Sequence, residues 1–187
     1  MRKILIFIEN DFEDSEFIYP YYRLQEEGYK LDIVAPKADQ KYVGKHGVPF
    51  TSELSPEQVR LGDYDAVIIP GGKAPDRMRL SEGLIDIVKE ADQKGLVIAA
   101  VCHGPQMLIS ADIVRGRNVT GWPSIWVDLK NAGAKVVETQ SSVTDGNIVT
   151  SRQPSDLPDF CAAMIALLGS QRTVEPITAY NPSSLEC

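Results

Sequence analysis

The stretch Leu96-Val97-Ile98-Ala99-Ala100-Val101-Cys102-His103-Gly104-Pro105-Gln106-Met107-Leu108-Ile109 decides the fold. Six apolar residues in a row, preceded by Lys94-Gly95, are too few to span a membrane and form a strand buried on both faces. The chain then turns sharply at Cys102. Gly104 relaxes the steric limits of the turn, and Pro105 suits the first position of a helix, where a missing N–H costs nothing. This is the pattern of a nucleophile elbow with sulfur in place of a serine oxygen. Such a turn lifts one side chain above the sheet edge and aims the unpaired N–H groups of the helix start at it, which favours a thiolate. The competing reading is a small buried hydrophobe, and strand-to-helix turns also serve as ligand sites in α/β sheets.

Upstream, residues 4–8 form another continuous apolar run, and the loop Glu9 to Glu16 leaves its carboxyl end. A helix is predicted over 15–27, stopped by Gly28, followed by a strand over 31–35. Residues 36–54 should hold a short hairpin, Ser55-Pro56-Glu57 a helix start, and residues 65–69 a buried strand running into Pro70-Gly71-Gly72. Ser81 caps a helix over 82–94, with Leu84, Ile85, Val88 and Ala91 on one face. Downstream, a strand at 118–120 and a helix at 123–131 lead to Gly133. Strands at 135–139 and 147–150 should flank the hairpin dipeptide Asp145-Gly146, and a last helix spans 155–168. This alternation predicts a mostly parallel α/β sheet covered on both faces, with ligands at the carboxyl ends of its strands. Residues 1–168 form one domain. The extension 169–187 lacks a period and is an arm draped on the surface or on a partner subunit, or disordered.

The 187-residue chain is 43% hydrophobic and 24% charged, with a net charge of −7, so the clustered basic surface of a nucleic-acid binder is missing. The N-terminal apolar run meets Glu9, Asp11, Glu13 and Asp14 at once, which argues against a signal peptide, and no membrane partner is expected. Cysteines at 102, 161 and 187 make neither a disulfide framework nor a metal-ligand pattern, and imply a reducing, cytoplasmic setting.

In a parallel sheet the loops after residues 4–8, 65–69 and 96–101 open on one edge, so Glu13, Gly71-Gly72 and Cys102-His103 converge there. A carboxyl close to a thiol orients the sulfur and shuttles a proton during addition to a carbonyl. Glu13 is the candidate. Its ordinary alternative is to cap the next helix among Glu9, Asp11, Asp14 and Glu16. Gly71 and Gly72 bring bare N–H groups that, with the N–H of His103, suit an oxyanion, against the alternative of a plain tight turn. The only other histidine is His46, so a triad with a histidine downstream of residue 103 is excluded. Trp122 and Tyr19 are candidate pocket residues or ordinary core or interface aromatics, and Arg152 either binds an acidic substrate group or forms a surface ion pair. Cys161 is read as packed and Cys187 as exposed.

With these residues assembled, the sequence resembles the ThiJ/PfpI superfamily, nearest its PfpI branch of intracellular proteases and stress-response deglycases. The resemblance rests on Asn10-Asp11-Phe12-Glu13-Asp14, Tyr19-Pro20-Tyr21, Leu24-Gln25-Glu26-Glu27-Gly28, Gly44-Lys45-His46-Gly47 and Pro70-Gly71-Gly72-Lys73-Ala74-Pro75-Asp76-Arg77. It continues through Cys102-His103-Gly104-Pro105-Gln106, Gly121-Trp122-Pro123 and Ser151-Arg152-Gln153-Pro154-Ser155-Asp156-Leu157. It implies a flavodoxin-like three-layer sandwich, like that of class I glutamine amidotransferases, and assembly as a homodimer or hexamer. Cys102 would be the nucleophile, Glu13 the carboxyl on its sulfur, and the N–H groups of Gly72 and His103 the oxyanion site. His103 would be oriented by an acid from a neighbouring subunit, where this chain has Asp76 in place of the usual glutamate. The implied activity acts on a small reactive aldehyde or a glycated protein or peptide, with no metal or organic cofactor. Cleavage of peptides by a hexameric cysteine peptidase and redox sensing by a chaperone-like protein are the alternatives, the latter through oxidation of the Cys102 thiol.

Overall fold

The computed structural model describes residues 2–170. β1 (Lys3–Phe7) leads through α1 (Asp14–Glu26) into β2 (Lys30–Val34), and the excursion that follows holds an antiparallel hairpin, β3 (Lys41–Val43) and β4 (Pro49–Thr51). After two single 3₁₀ turns come β5 (Ala66–Ile69), the short α2 (Ala74–Met78), α3 (Glu82–Gln93) and β6 (Val97–Val101). Then follow α4 (Pro105–Ser110), β7 (Asn118–Val119), α5 (Trp126–Asn131), β8 (Lys135–Val136), β9 (Ser142–Asp145), β10 (Ile148–Ser151) and α6 (Leu157–Ser170).

The main sheet runs β2-β1-β5-β6-β10-β9, parallel throughout except for the edge pair β10–β9. From β1 the chain crosses to β2 on one side, and from β5 it crosses to β6 on the other. Right-handed crossovers in opposite directions must lie on opposite faces, which makes three layers. α1 packs with α6, and α3 packs with α4. Continuous apolar runs suit strands covered on both sides, and every residue of β5 and β6 is buried. The reversal of direction falls between β1 and β5, so a crevice opens where the loops after those two strands part. Among the described residues no helix is long and apolar enough to cross a membrane.

The structure differs from the sequence expectation at several places, and the helix start expected at Ser55-Pro56-Glu57 is a single 3₁₀ turn over Pro56–Gln58. A tight hairpin turn forms one residue later than expected, with Gly146-Asn147 as its loop and Asp145 paired to Ile148, and its upstream strand is Ser142–Asp145. Lys135-Val136 pairs in parallel with β7 instead, in a separate two-stranded ladder. A two-residue turn joins the strands that abut it, and residues 135–139 end too far upstream to be its arm. α2 was missed because five residues are too few to display an apolar period. From residue 171 onward the expected extension lies outside the described residues.

Candidate functional site

The elbow after β6 is a strained turn built around one residue. Cys102 has φ 60°, a left-handed conformation that a side chain enters only when its surroundings enforce it. Three backbone bonds do so: Cys102 N–H donates to the Ser151 carbonyl at 3.0 Å, Gly104 N–H to Val101 at 2.7 Å, and Trp122 N–H to the Cys102 carbonyl at 2.8 Å. Gly104 has ordinary helical angles. Its lack of a side chain matters because a Cβ there would stand 2.4 Å from the Ile69 carbonyl oxygen. α4 starts at Pro105, as its missing N–H allows.

The loops after β1 and β5 are zipped together beside this turn. Phe12 and Gly72 form an isolated bridge, Glu13 N–H donates to the Gly71 carbonyl at 3.3 Å, and Lys73 N–H to the Asp11 carbonyl at 2.9 Å. Gly72 has φ 75°, and a Cβ on it would lie 2.4 Å from the Asp11 carbonyl oxygen, so only glycine lets these strands approach. A ring cluster wedges the first loop in place, with Phe17 4.5 Å from Phe50 and 5.2 Å from Phe12 between ring centres.

The carboxyl group on the sulfur belongs to Glu16. Its side chain lies beside the Cys102 thiol, each shifting the other's titration, while Oε2 accepts the Gly71 N–H at 2.8 Å and Oε1 has no hydrogen-bond partner among the described residues. Glu16 is fully buried. Burial raises its pKa to about 7, against the Gly71 hydrogen bond and the Cys102 thiol, which pull it down. The expected Glu13–Cys102 pair is therefore corrected. Glu13 is the N-cap residue of α1 and turns to the β3–β4 loop, 3.4 Å from Lys45 Nζ and 3.3 Å from His46 Nε2. One helical turn further on, Glu16 shares the inward stripe of Pro20 and Leu24, at intervals of four residues. An acid continuing an apolar stripe was the available signal.

The thiol itself departs from the low pKa expected of a helix start. Burial, followed by the Glu16 charge, pushes it up to about 12, while the N–H groups of Gly72 and His103 face the sulfur and pull it down. Two closely coupled acids titrate as a pair, so this pair carries one negative charge near neutrality and the second only in strong base. His103 places Nδ1 3.3 Å from the sulfur and Nε2 3.3 Å from Ser124 Oγ, and burial lowers its pKa. Asp76 lines the same cleft but is not the partner of His103 within the chain.

A cleft of about 690 Å³ opens above the sulfur, lined by Glu13, Glu16, Lys45, Gly72, Asp76 and Trp122 among others. Trp122 lies over the His103 ring with 6.5 Å between centres. Tyr19 sits apart, in a shallow apolar depression on α1. Arg152 is not at the cleft. It clamps Asp156 with contacts of 2.8 and 3.1 Å, the surface-pair reading of that residue. Lys45, Lys73, Arg77, Gln106 and Pro154 complete the lining and were not singled out as site residues from the sequence. Cys161 is buried on α6. A buried carboxyl, a thiol and two convergent N–H groups suit addition of sulfur to a carbonyl carbon with local proton transfer.

The DJ-1/PfpI family profile matches residues 2–167. A protein of Pyrococcus abyssi named as a deglycase is 43% identical over 166 residues, which cover 89% of this chain and 99% of that one. Deglycase PfpI of Pyrococcus furiosus is 40% identical over 166 residues, with the same coverage of 89% and 99%. Among solved structures, a two-domain protein of Anabaena variabilis with DJ-1/ThiJ/PfpI-like and ferritin-like domains superposes with a TM-score of 0.88 at 40% identity. The match covers 90% of this chain and 48% of that one, about half its length. The chain belongs to the DJ-1/PfpI family.

Proposed function

We propose that this chain is a cysteine-dependent deglycase acting on a 2-oxoaldehyde such as methylglyoxal, free or bound to an amine of a protein or peptide. Relatives that bear the deglycase name at 43% and 40% identity support the class. The observation that carries the mechanism is the buried carboxyl of Glu16 on the Cys102 sulfur, with the Gly72 and His103 N–H groups turned to the same atom.

In the resting pair the proton sits on sulfur and the charge on Glu16. As Sγ bonds to the aldehyde carbon, the S–H proton passes to Glu16 and the carbonyl electron pair moves onto oxygen, where the Gly72 and His103 N–H groups are the donors at hand. Glu16 returns the proton to that oxygen, giving a hemithioacetal. Moving the proton of this carbon to the adjacent ketone carbon, and the hydroxyl proton to the ketone oxygen, yields a lactoyl thioester with no external oxidant, because one carbon is oxidised as the other is reduced. Water then breaks the S–C bond, releasing lactate and restoring the thiol. With an amine adduct, the C–N bond breaks as sulfur bonds, and the amine leaves with the proton held by Glu16. A group titrating at about 7 is matched to such two-way transfer at neutral pH. Peptide cleavage would ask His103 to be held by a carboxylate, and within the chain its outer nitrogen meets Ser124.

The test assays lactate formation from methylglyoxal, amine release from its adducts and casein hydrolysis side by side. Cys102→Ala is expected to abolish the first two and Glu16→Gln to lower kcat by about 100-fold or more. Full lactate formation by Cys102→Ala, or casein hydrolysis without carbonyl activity in the unaltered chain, would overturn the reading.

A further inference from the structure

Glu13 and Glu16 sit one turn apart at the start of α1, the Glu13 carbonyl accepting the Glu16 N–H at 3.0 Å, and both line the cleft. The Glu13 side chain makes no cap bond to the helix. It faces Lys45 Nζ at 3.4 Å and His46 Nε2 at 3.3 Å, and Ser15 Oγ at 3.5 Å. These contacts are long, and the Lys45 and His46 side chains are 54% and 60% exposed, so as ion pairs they add little to stability. The loop carrying them is nevertheless fixed from below. Asp14, itself buried, accepts the N–H groups of His46 at 2.8 Å and Val48 at 3.0 Å, and Lys45 N–H donates to the Phe12 carbonyl at 2.8 Å. Gly44 lies so close to Asp14 that a Cβ would come within 2.6 Å of its carboxylate. A buried carboxylate thus serves to hold one lysine at the edge of the site, in a contact of little structural worth.

We propose that Glu13 and Lys45 are positioning residues for the proton of the Glu16–Cys102 pair, two opposed charges that set the pH at which the thiol becomes reactive. The charge of Glu13 disfavours a second carboxylate at Glu16, and that of Lys45 favours it. The other charged and titratable groups facing the site are His46 from the same loop, His103 from the elbow, and Lys73, Asp76 and Arg77 from the start of α2, with Arg77 held 2.7 Å from Asp11. Of these, Lys45 and Glu13 are the cleft-lining pair held to each other. The inference rests on the Glu16–Cys102 pair of the proposed function and not on any one substrate.

The test follows alkylation of Cys102 by iodoacetamide in the full chain from about pH 5 to about pH 9, read by mass at the peptide that contains residue 102. Alkylation in the unaltered chain should rise through a step with its midpoint near pH 7, where Glu16 loses its proton and becomes able to take the one on sulfur, well below the strongly basic pH at which the thiol ionises by itself. Glu13→Gln should lower that midpoint by about 0.5 pH unit and Lys45→Met should raise it by about the same, the size of a partly screened charge a helical turn away. At pH 6 this corresponds to roughly threefold faster and slower alkylation. The double variant should return to within about 0.2 pH unit of the unaltered midpoint, and Lys45→Arg should leave it in place. A merely structural role would not move two midpoints in opposite directions. Unmoved midpoints, or shifts of the same sign, would overturn the proposal. The readout needs no carbonyl compound, so lactate formation surviving in Cys102→Ala would sink the proposed function while these shifts still stand or fall separately.

Discussion

Glu16 is a carboxyl group that the folded chain holds against its own solvation. Its pKa of 4.5 when free rises to about 7 when folded, so between those values the native state binds more protons than the unfolded chain. Stability from this residue is fully present below the lower value and is lost as pH rises through the upper one. The loss is on the order of 3 kcal/mol, shared with the thiol it contacts. Replacing Glu16 by glutamine removes the titration. Urea unfolding at about pH 5 and about pH 8 should therefore show Glu16→Gln gaining on the unaltered chain by about 2 kcal/mol between the two conditions, and an equal difference at both would refute the cause assigned to its shift. The sequence placed Cys102 on the elbow and brought the loops to one rim, but put Glu13 where the structure has Glu16 beside the sulfur. Glu13 stands in the most distinctive loop motif, whereas Glu16 reads as one more acid in an acidic stretch. Only the register of α1, which turns position 16 inward with Pro20 and Leu24, separates them.

At the level of elements, the long buried runs were legible because nothing but a covered strand accommodates them, and β1, β5 and β6 lie within a residue or two of their expected bounds. Short pieces were less so. β7 falls where a strand was expected, but α2 was missed and the strand expected over 135–139 shrinks to the two residues of β8. Both are held by what they pack against and carry too few residues for a period. The β3–β4 hairpin was expected, but not its attachment, which depends on Asp14 reaching across 32 and 34 positions of sequence to two amides. Asp14→Ala should cost about 2 kcal/mol, and the amides of His46 and Val48 should exchange by local opening while the β1 and β5 amides keep the protection of global unfolding. If those two amides stayed as slow as in the unaltered chain, other contacts would be holding the loop, and Lys45 would not depend on Asp14 for its place.

For the whole molecule, parallel strands separate two jobs onto two rims. The carboxyl ends of β1, β5 and β6 carry the strained turn, the buried acid and the cleft. At the opposite rim, Arg117 joins segments that precede β6 and β10. Its guanidinium lies 3.3 Å from Asp92 at the end of α3, 3.3 Å from Asn147 Oδ1 and 3.3 Å from the Asp145 carbonyl. Asn147 Nδ2 in turn donates to the Leu96 carbonyl at 3.0 Å and to Asp92 at 3.1 Å. The Arg117 side chain is 29% exposed, so its network is worth less than a fully buried one. Arg117→Met should lower unfolding free energy by about 1–2 kcal/mol while leaving kcat/KM and the alkylation midpoint of Cys102 in place. Glu16→Gln should do the reverse, removing activity while sparing or raising stability near neutral pH. A shift of the Cys102 midpoint in Arg117→Met would mean that the sheet transmits strain from one rim to the other, because no charge of that network reaches the cleft.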